Sequence, residues 1–299
     1  MRKILAIALA LILLLSMTAC GSPEGSTPST PSTPSTPNTG SNSGNAADKI
    51  TFQELTVVDN EYCTIKVTGI DPDSMWGYVL KVYLENKSPD TSFMFSVSSA
   101  SINGVQADPL FATEIAAGKK ANEDITFMDR DLEDMIGTFT DIELSFSVSD
   151  SEDWSADPVA TPSVHVYPYG EDKATVYTRE SLPSDTIVVD NEYVTVIVTG
   201  YEVDPIWGYT ANLYLVNKTD VSVMLSADEV SVNGYMADPL YASVLDAGKC
   251  AFSSMSWSDS TFEDNAITEV ETIEFTLRVY DANDWFADDF VSQAVTLNP

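Results

Sequence analysis

Beyond about residue 50 the chain is written in short stretches of period two. Trp76, Tyr78, Leu80, Val82 and Leu84 share one side of such a stretch, and Gly77, Val79, Lys81, Tyr83 and Glu85 share the other. Ile142, Leu144, Phe146 and Val148 alternate in the same way, as do Trp207, Tyr209, Ala211, Leu213 and Leu215, and Ile273, Phe275, Leu277 and Val279. Alternation over five to nine residues puts every second side chain on one face of a pleated strand, so these stretches predict half-buried β-strands. Further strands are predicted at Glu61–Thr68, Thr91–Val97, Asn122–Met128 and Val159–Tyr167. On this reading Trp76 and Trp207 are core residues. Asn60, Asn86-Lys87-Ser88-Pro89, Asn103-Gly104 and Ala117-Gly118-Lys119 predict the turns between strands. Asn103-Gly104 is the sharpest cue, because both residues tolerate the positive φ of a two-residue hairpin loop. Helical signal is confined to Asp129–Ile136 and Ser260–Ile267.

The pattern occurs twice. Val57-Val58-Asp59-Asn60-Glu61-Tyr62 returns as Val188-Val189-Asp190-Asn191-Glu192-Tyr193, and Trp76-Gly77-Tyr78 as Trp207-Gly208-Tyr209. Asn103-Gly104 returns as Asn233-Gly234, Asp108-Pro109-Leu110 as Asp238-Pro239-Leu240, and Asp153-Trp154 as Asp284-Trp285. An offset of 130 or 131 residues is one whole domain, not a solenoid unit. Seven or eight short strands per copy predict an all-β fold: two tandem antiparallel β-sandwiches of the immunoglobulin-like kind, with an open barrel as the alternative. Repeat 1 is placed at 50–169, an interdomain linker at 170–184 and repeat 2 at 185–299. Within that linker Thr175-Val176-Tyr177-Thr178 is a candidate edge strand.

The first 49 residues have no such pattern. Arg2 and Lys3 precede an apolar run, Ile4 to Leu15, and Ser16-Met17-Thr18-Ala19-Cys20 closes it. The run is about 12 residues long, short of the roughly 20 that span a bilayer. It has the basic, apolar and small-residue regions of a secretory signal. The small residues before Cys20 resemble a lipobox, with Met17 where leucine is usual. Residues 1–19 are therefore read as a lipoprotein signal peptide and Cys20 as the lipidation site. Residues 20–49 are rich in Ser, Thr, Pro and Gly and cannot bury a core, which predicts a disordered, extended tether. At about 3.1 Å per residue, some 28 such residues reach on the order of 90 Å.

Acidic residues outnumber basic ones by 46 to 14, for a net charge of −32. That excess repels polyanions and leaves no basic stripe for phosphates, so nucleic acid is excluded as a partner. Cys20 belongs to the anchor; Cys63 and Cys250 fall one in each repeat, at positions that do not correspond. Cys63 alternates with Ile65 and Val67 and reads as a small buried hydrophobe. The single histidine, His165, has no counterpart in repeat 2, so no Ser-His-Asp triad is shared by the copies.

Together, the lipobox-like end, the Ser/Thr/Pro stalk and the Asp-Asn-Glu-Tyr, Trp-Gly-Tyr, Asn-Gly and Asp-x-x-Asp-Trp landmarks resemble the uncharacterised tandem immunoglobulin-like surface lipoproteins of Gram-positive bacteria. The resemblance spans leader and both repeats. It implies a secreted, membrane-tethered β-sandwich protein on the extracellular face of the cell membrane, and it implies no reaction, ligand or catalytic residue.

Candidate chemistry concentrates in one duplicated acidic loop: Asp150, Asp153 and Asp157 in repeat 1, and Asp281, Asp284 and Asp288 in repeat 2. Three carboxylates within eight residues could furnish part of a calcium shell of six to eight oxygens, though the register differs from that of an EF-hand. The competing reading is turn capping by aspartate on a solvated acidic rim. Trp154 and Trp285, in the same loops, are the candidate binding residues, because an exposed indole stacks on a sugar ring. Asn86-Lys87-Ser88 and Asn217-Lys218-Thr219 fit the N-glycosylation pattern but read as turns. The functional expectation is a membrane-anchored, extracellular, non-enzymatic role in binding, adhesion or spacing, toward an unidentified cell-envelope or host ligand and with no cofactor. The alternatives are a calcium-binding tandem rod and a carbohydrate-binding surface module.

Overall fold

A computed structural model describes residues 49–128, 131–284 and 286–299. They lie in one compact unit, Ala47–Pro299. Repeat 1 contributes β1 (Leu55–Asp59), β2 (Cys63–Ser74), β3 (Gly77–Asn86), β4 (Phe93–Ile102), β5 (Val105–Ala107), β6 (Ala112–Ile115), β7 (Lys120–Phe127), the short helix α1 (Asp131–Ile136), β8 (Ile142–Asp150) and β9 (Ser163–Val166). Repeat 2 follows the same plan with β10 (Thr186–Asp190), β11 (Val194–Asp204), β12 (Gly208–Asn217), β13 (Val223–Val232), β14 (Tyr235–Met236), β15 (Ser243–Leu245), β16 (Cys250–Trp257), α2 (Asp259–Asp264), β17 (Ile273–Asp281) and β18 (Val291–Leu297). The fold is an all-β sandwich: in each repeat a sheet ordered β1-β2-β3-β7, or β10-β11-β12-β16, packs on a second sheet built around β4-β8-β9, or β13-β17-β18. Within each repeat the named strands pair antiparallel.

The period-two pattern translates directly into burial. Cys63, Ile65 and Val67 on β2, Leu80, Val82 and Leu84 on β3, and Ile142, Leu144, Phe146 and Val148 on β8 meet in the core of repeat 1. Val194, Val196 and Val198, Ala211, Leu213 and Leu215, and Ile273, Phe275, Leu277 and Val279 form the core of repeat 2. Burial raises the Cys63 thiol to about 11, so it stays protonated and behaves as an apolar side chain.

The repeated asparagines are the buried fasteners of the turns. Asn86 donates through Nδ2 to the carbonyls of Thr91 and Ile115, and Asn217 does the same to Val221 and Leu245. Both are almost wholly buried, so neither glycosylation-type triplet presents a free amide. At the Asn103-Gly104 and Asn233-Gly234 turns both residues have positive φ, as the hairpin cue requires. Asn103 Oδ1 also accepts the N–H of Thr140 and Asp141, and Asn233 Oδ1 accepts that of Glu271 and Thr272.

Two expectations are corrected. Trp76 and Trp207 are not core residues: they stand at the tips of the β2–β3 and β11–β12 hairpins, 65% and 55% exposed. Among the described residues the buried tryptophan is Trp257, which replaces Phe127 of repeat 1 and bonds through Nε1 to the carbonyl of Ala237. Residues 175–178 form no strand; the segment lies against the Asn103-Gly104 turn through one backbone bond, Tyr177 N–H to Asn103 O at 2.8 Å.

The repeats are joined by more than that segment. Cys250 at the start of β16 pairs with Val105 on β5 in parallel, and its N–H reaches the carbonyl of Gly104. The β10-β11-β12-β16 sheet thereby continues into β5-β4-β8-β9, giving one nine-stranded sheet through both copies. Asp246 closes the seam. Its carboxylate accepts from Ser99 of repeat 1 and Ser222 of repeat 2, and its N–H donates to Gln106. Lys249 pairs with Glu143, and the rings of Tyr177, Tyr214 and Phe252 form an aromatic cluster, with Tyr177 and Tyr214 edge to face. Arg179 lies over the Tyr214 ring and makes a bidentate pair with Asp185, both bonds 2.7 Å.

Candidate binding surfaces

The acidic loops sit at one end of each repeat, where β8 or β17 finishes. Their aspartates cap turns. Asp150 Oδ1 accepts the N–H of Glu152, and Asp153 Oδ1 accepts both the N–H and the hydroxyl of Ser155. In repeat 2, Asp281 accepts from Asn283 and Asp284 from Phe286. Ser155 holds the Asp153 carboxyl below its ordinary range. Asp157 and Asp288 point to solvent, and Asp289 is drawn away into a two-bond pair with Arg278, each bond 2.9 Å. Among the described residues, no three carboxylate, thiol or imidazole groups converge as a metal set. Trp154 is 73% exposed in its loop. Cys20 and Trp285 lie outside the described residues.

The other end of each repeat carries the feature that period-two reading missed. In repeat 1 the ladder closes at Ser74 opposite Gly77, so Met75-Trp76 is a two-residue tip. In repeat 2 it closes at Asp204 opposite Gly208, leaving Pro205-Ile206-Trp207. Ser74 Oγ accepts the N–H of Trp76, and Asp204 Oδ1 accepts those of Ile206 and Trp207. The glycine after each tryptophan is obligatory. Gly77 and Gly208 have φ of +124° and +79°, and a Cβ there would stand 2.1 or 2.2 Å from the carbonyl oxygen of Phe127 or Trp257. Signals for this were present: glycine, a turn residue, follows each tryptophan, and Pro72 and Pro205 interrupt the strand pattern just before it.

Beside Trp207 the chain folds a shallow groove of about 620 Å³. Trp207 and Leu240 form walls, with Ser254, Ser256 and Tyr241 between them. Leu240 is held by two backbone bonds to Ser256, at 2.7 and 3.3 Å, yet its side chain is 68% exposed. The same bridge joins Leu110 to Thr126 in repeat 1, where Leu110 is 76% exposed. Among the described residues, the buried side-chain polar atoms without a partner are the hydroxyls of Tyr241, in this groove, and Tyr78, in a smaller one behind the Met75-Trp76 tip. Burial drives both phenols far above their ordinary range.

No protein-family model matches the chain, and a comparison with curated proteins finds no relative.

Proposed function

We propose that this protein is a lipid-anchored, non-enzymatic binding protein of the extracellular cell surface. Acylated Cys20 holds it to the membrane, residues 20–49 act as the tether, and the double sandwich presents its hairpin ends to a cell-envelope or host ligand. The observation that carries the reading is the duplicated, exposed tip. Large apolar side chains, Met75 and Trp76 or Ile206 and Trp207, project at the same place in both copies of an otherwise well-buried fold. Exposed tryptophan is costly to leave in water and is enriched where surfaces bind. The seam supports a spacer role as well, because backbone pairing and ion pairs across it resist hinging between the copies.

Sedimentation of the full-length chain with cell-envelope fragments tests the reading. Binding that is lost in the Trp76→Ala/Trp207→Ala double variant is the expected result. Equal binding by wild type and double variant would place the binding face elsewhere. For the anchor, Cys20→Ala should move the protein from the membrane to the soluble fraction, and undiminished membrane retention would refute acylation.

A further inference from the structure

The two repeats have diverged at many positions, yet part of one exposed surface has stayed the same. Trp76, Pro109, Leu110 and Ala112 in repeat 1 are Trp207, Pro239, Leu240 and Ala242 in repeat 2, and hydroxyl-bearing Thr126 is matched by Ser256, whereas Phe111 and Asp124 stand where repeat 2 has Tyr241 and Ser254. These residues come from separate segments that the fold brings together at one end of the sandwich. Core packing does not require them, since both tryptophans and both leucines are more than half exposed. The neighbouring outer sheet face, by contrast, changed at Lys66/Ile197, Glu85/Val216 and Asn122/Phe252.

From this we infer that the exposed tryptophan–leucine pair of each repeat is a stacking site for a sugar ring, with a groove beside it in repeat 2, and that its ligand is a neutral polysaccharide. This inference rests on the binding reading given above and names its ligand class. Three features select that class. First, the repeat 2 groove is lined by an indole, aliphatic carbons and hydroxyls and holds no charged side chain, although the chain as a whole carries −32. An uncharged groove in a strongly negative protein suits an uncharged ligand and turns away polyanions. Second, a pyranose offers an apolar ring face to stack on an indole and hydroxyls to meet the exposed Ser254. Third, two like tryptophan–leucine pairs in one compact unit suit a ligand that repeats, because the second contact is then intramolecular. A peptide added as an extra strand is disfavoured here, because the N–H and carbonyl of Ser256 are already taken by Leu240.

Affinity electrophoresis tests this directly. The full-length chain is run through native gels cast with laminarin, xylan or mannan, and titrated separately with a polyproline peptide while tryptophan fluorescence is followed. Retardation by at least one polysaccharide is expected. Trp76→Ala or Trp207→Ala should each weaken it about 10-fold and the double variant more than about 100-fold, as loss of two linked sites requires. The variants' melting temperatures should match the wild type, since both side chains are exposed. Retardation by none of the three polysaccharides, or undiminished retardation of the double variant, would overturn the sugar assignment; so would quenching by the peptide alone. Tryptophan-dependent envelope binding without polysaccharide retardation would remove the sugar and leave the binding reading standing. Tryptophan-independent envelope binding would remove both.

Discussion

On the sheet of β1, β2, β3 and β7, the side chains of Lys66, Tyr83, Glu85, Lys120 and Asn122 stand next to one another on the face turned away from the core. At the equivalent places on β10, β11, β12 and β16 stand Ile197, Tyr214, Val216, Cys250 and Phe252. The strands and register correspond, and the chemistry is opposite. In repeat 1 the face is laced with polar contacts: Lys66 to Glu54 at 3.0 Å, Lys120 to Glu85 at 3.2 Å and the Tyr83 hydroxyl to Glu85 at 2.9 Å. In repeat 2 the face packs into the hydrophobic cluster of repeat 1, and Tyr214 and Cys250 fall to 7% and 8% exposure. Duplication supplied two identical faces, and only one of them acquired a cover. The covered face is apolar because buried polar groups need partners, and the open one is charged because water solvates its polar groups. The Lys–Glu pair makes the same point. Lys249 meets Glu143 across the seam, while their counterparts Lys119 and Glu274 are both exposed at opposite ends of the molecule.

Exchanging the two chemistries should break the contrast most severely. Cys250→Lys puts the repeat 1 residue into the covered face, where an unpaired charge is expected to cost about 3 kcal/mol or more. The reciprocal Lys120→Cys, on the open face, should stay within about 0.5 kcal/mol. Equilibrium denaturation of the two variants measures both values, and similar losses would mean the seam is not buried in solution.

A smaller effect should come from the Arg179–Asp185 pair beside the seam. The Arg179 hydrogen bonds and the N–H of Leu182 lower the Asp185 carboxyl to about 2. An unfolded aspartate titrates near 3.9, so the folded state binds fewer protons between these values. The stabilisation is therefore complete above about pH 4 and disappears as pH falls toward about 2. The stability difference between wild type and Asp185→Asn, measured across that range, should shrink toward zero at the acid end. A difference independent of pH would show that the carboxylate charge contributes nothing.

The smallest effect is expected at the acidic loops. Asp150 and Asp153 in repeat 1, and Asp281 and Asp284 in repeat 2, are occupied with turn N–H groups. Melts in calcium and in chelator should coincide within about 1 °C, whereas a bound ion would raise the melting temperature in step with its excess over Kd. Such a rise would revive the tandem-rod alternative.

The strands of both cores were legible because alternation depends on local geometry alone. Ile142, Leu144, Phe146 and Val148 could be assigned to one face from their spacing, and all are buried. The Asn-Gly turns were legible for the same reason, since positive φ is a property of the residue. The binding surface was only half legible. Trp-Gly-Tyr and Asp-Pro-Leu stood out as repeated, but the period-two pattern absorbed Trp76 and Trp207 into strands that in fact begin one residue later, at Gly77 and Gly208. Nothing near Cys250 or Phe252 in the sequence announces that β5 will arrive beside β16.

The sequence by itself determined the strand pattern, the turns and the existence of two like modules, all of which follow from backbone and side-chain preferences acting over a few residues. Tertiary structure alone decided which of two equivalent faces is buried, which tryptophans meet water and that one sheet runs through both repeats. Those outcomes depend on contacts between residues about 145 positions apart, such as Gly104 and Cys250, and alternation records only that a strand has two sides, not what will lie against each of them.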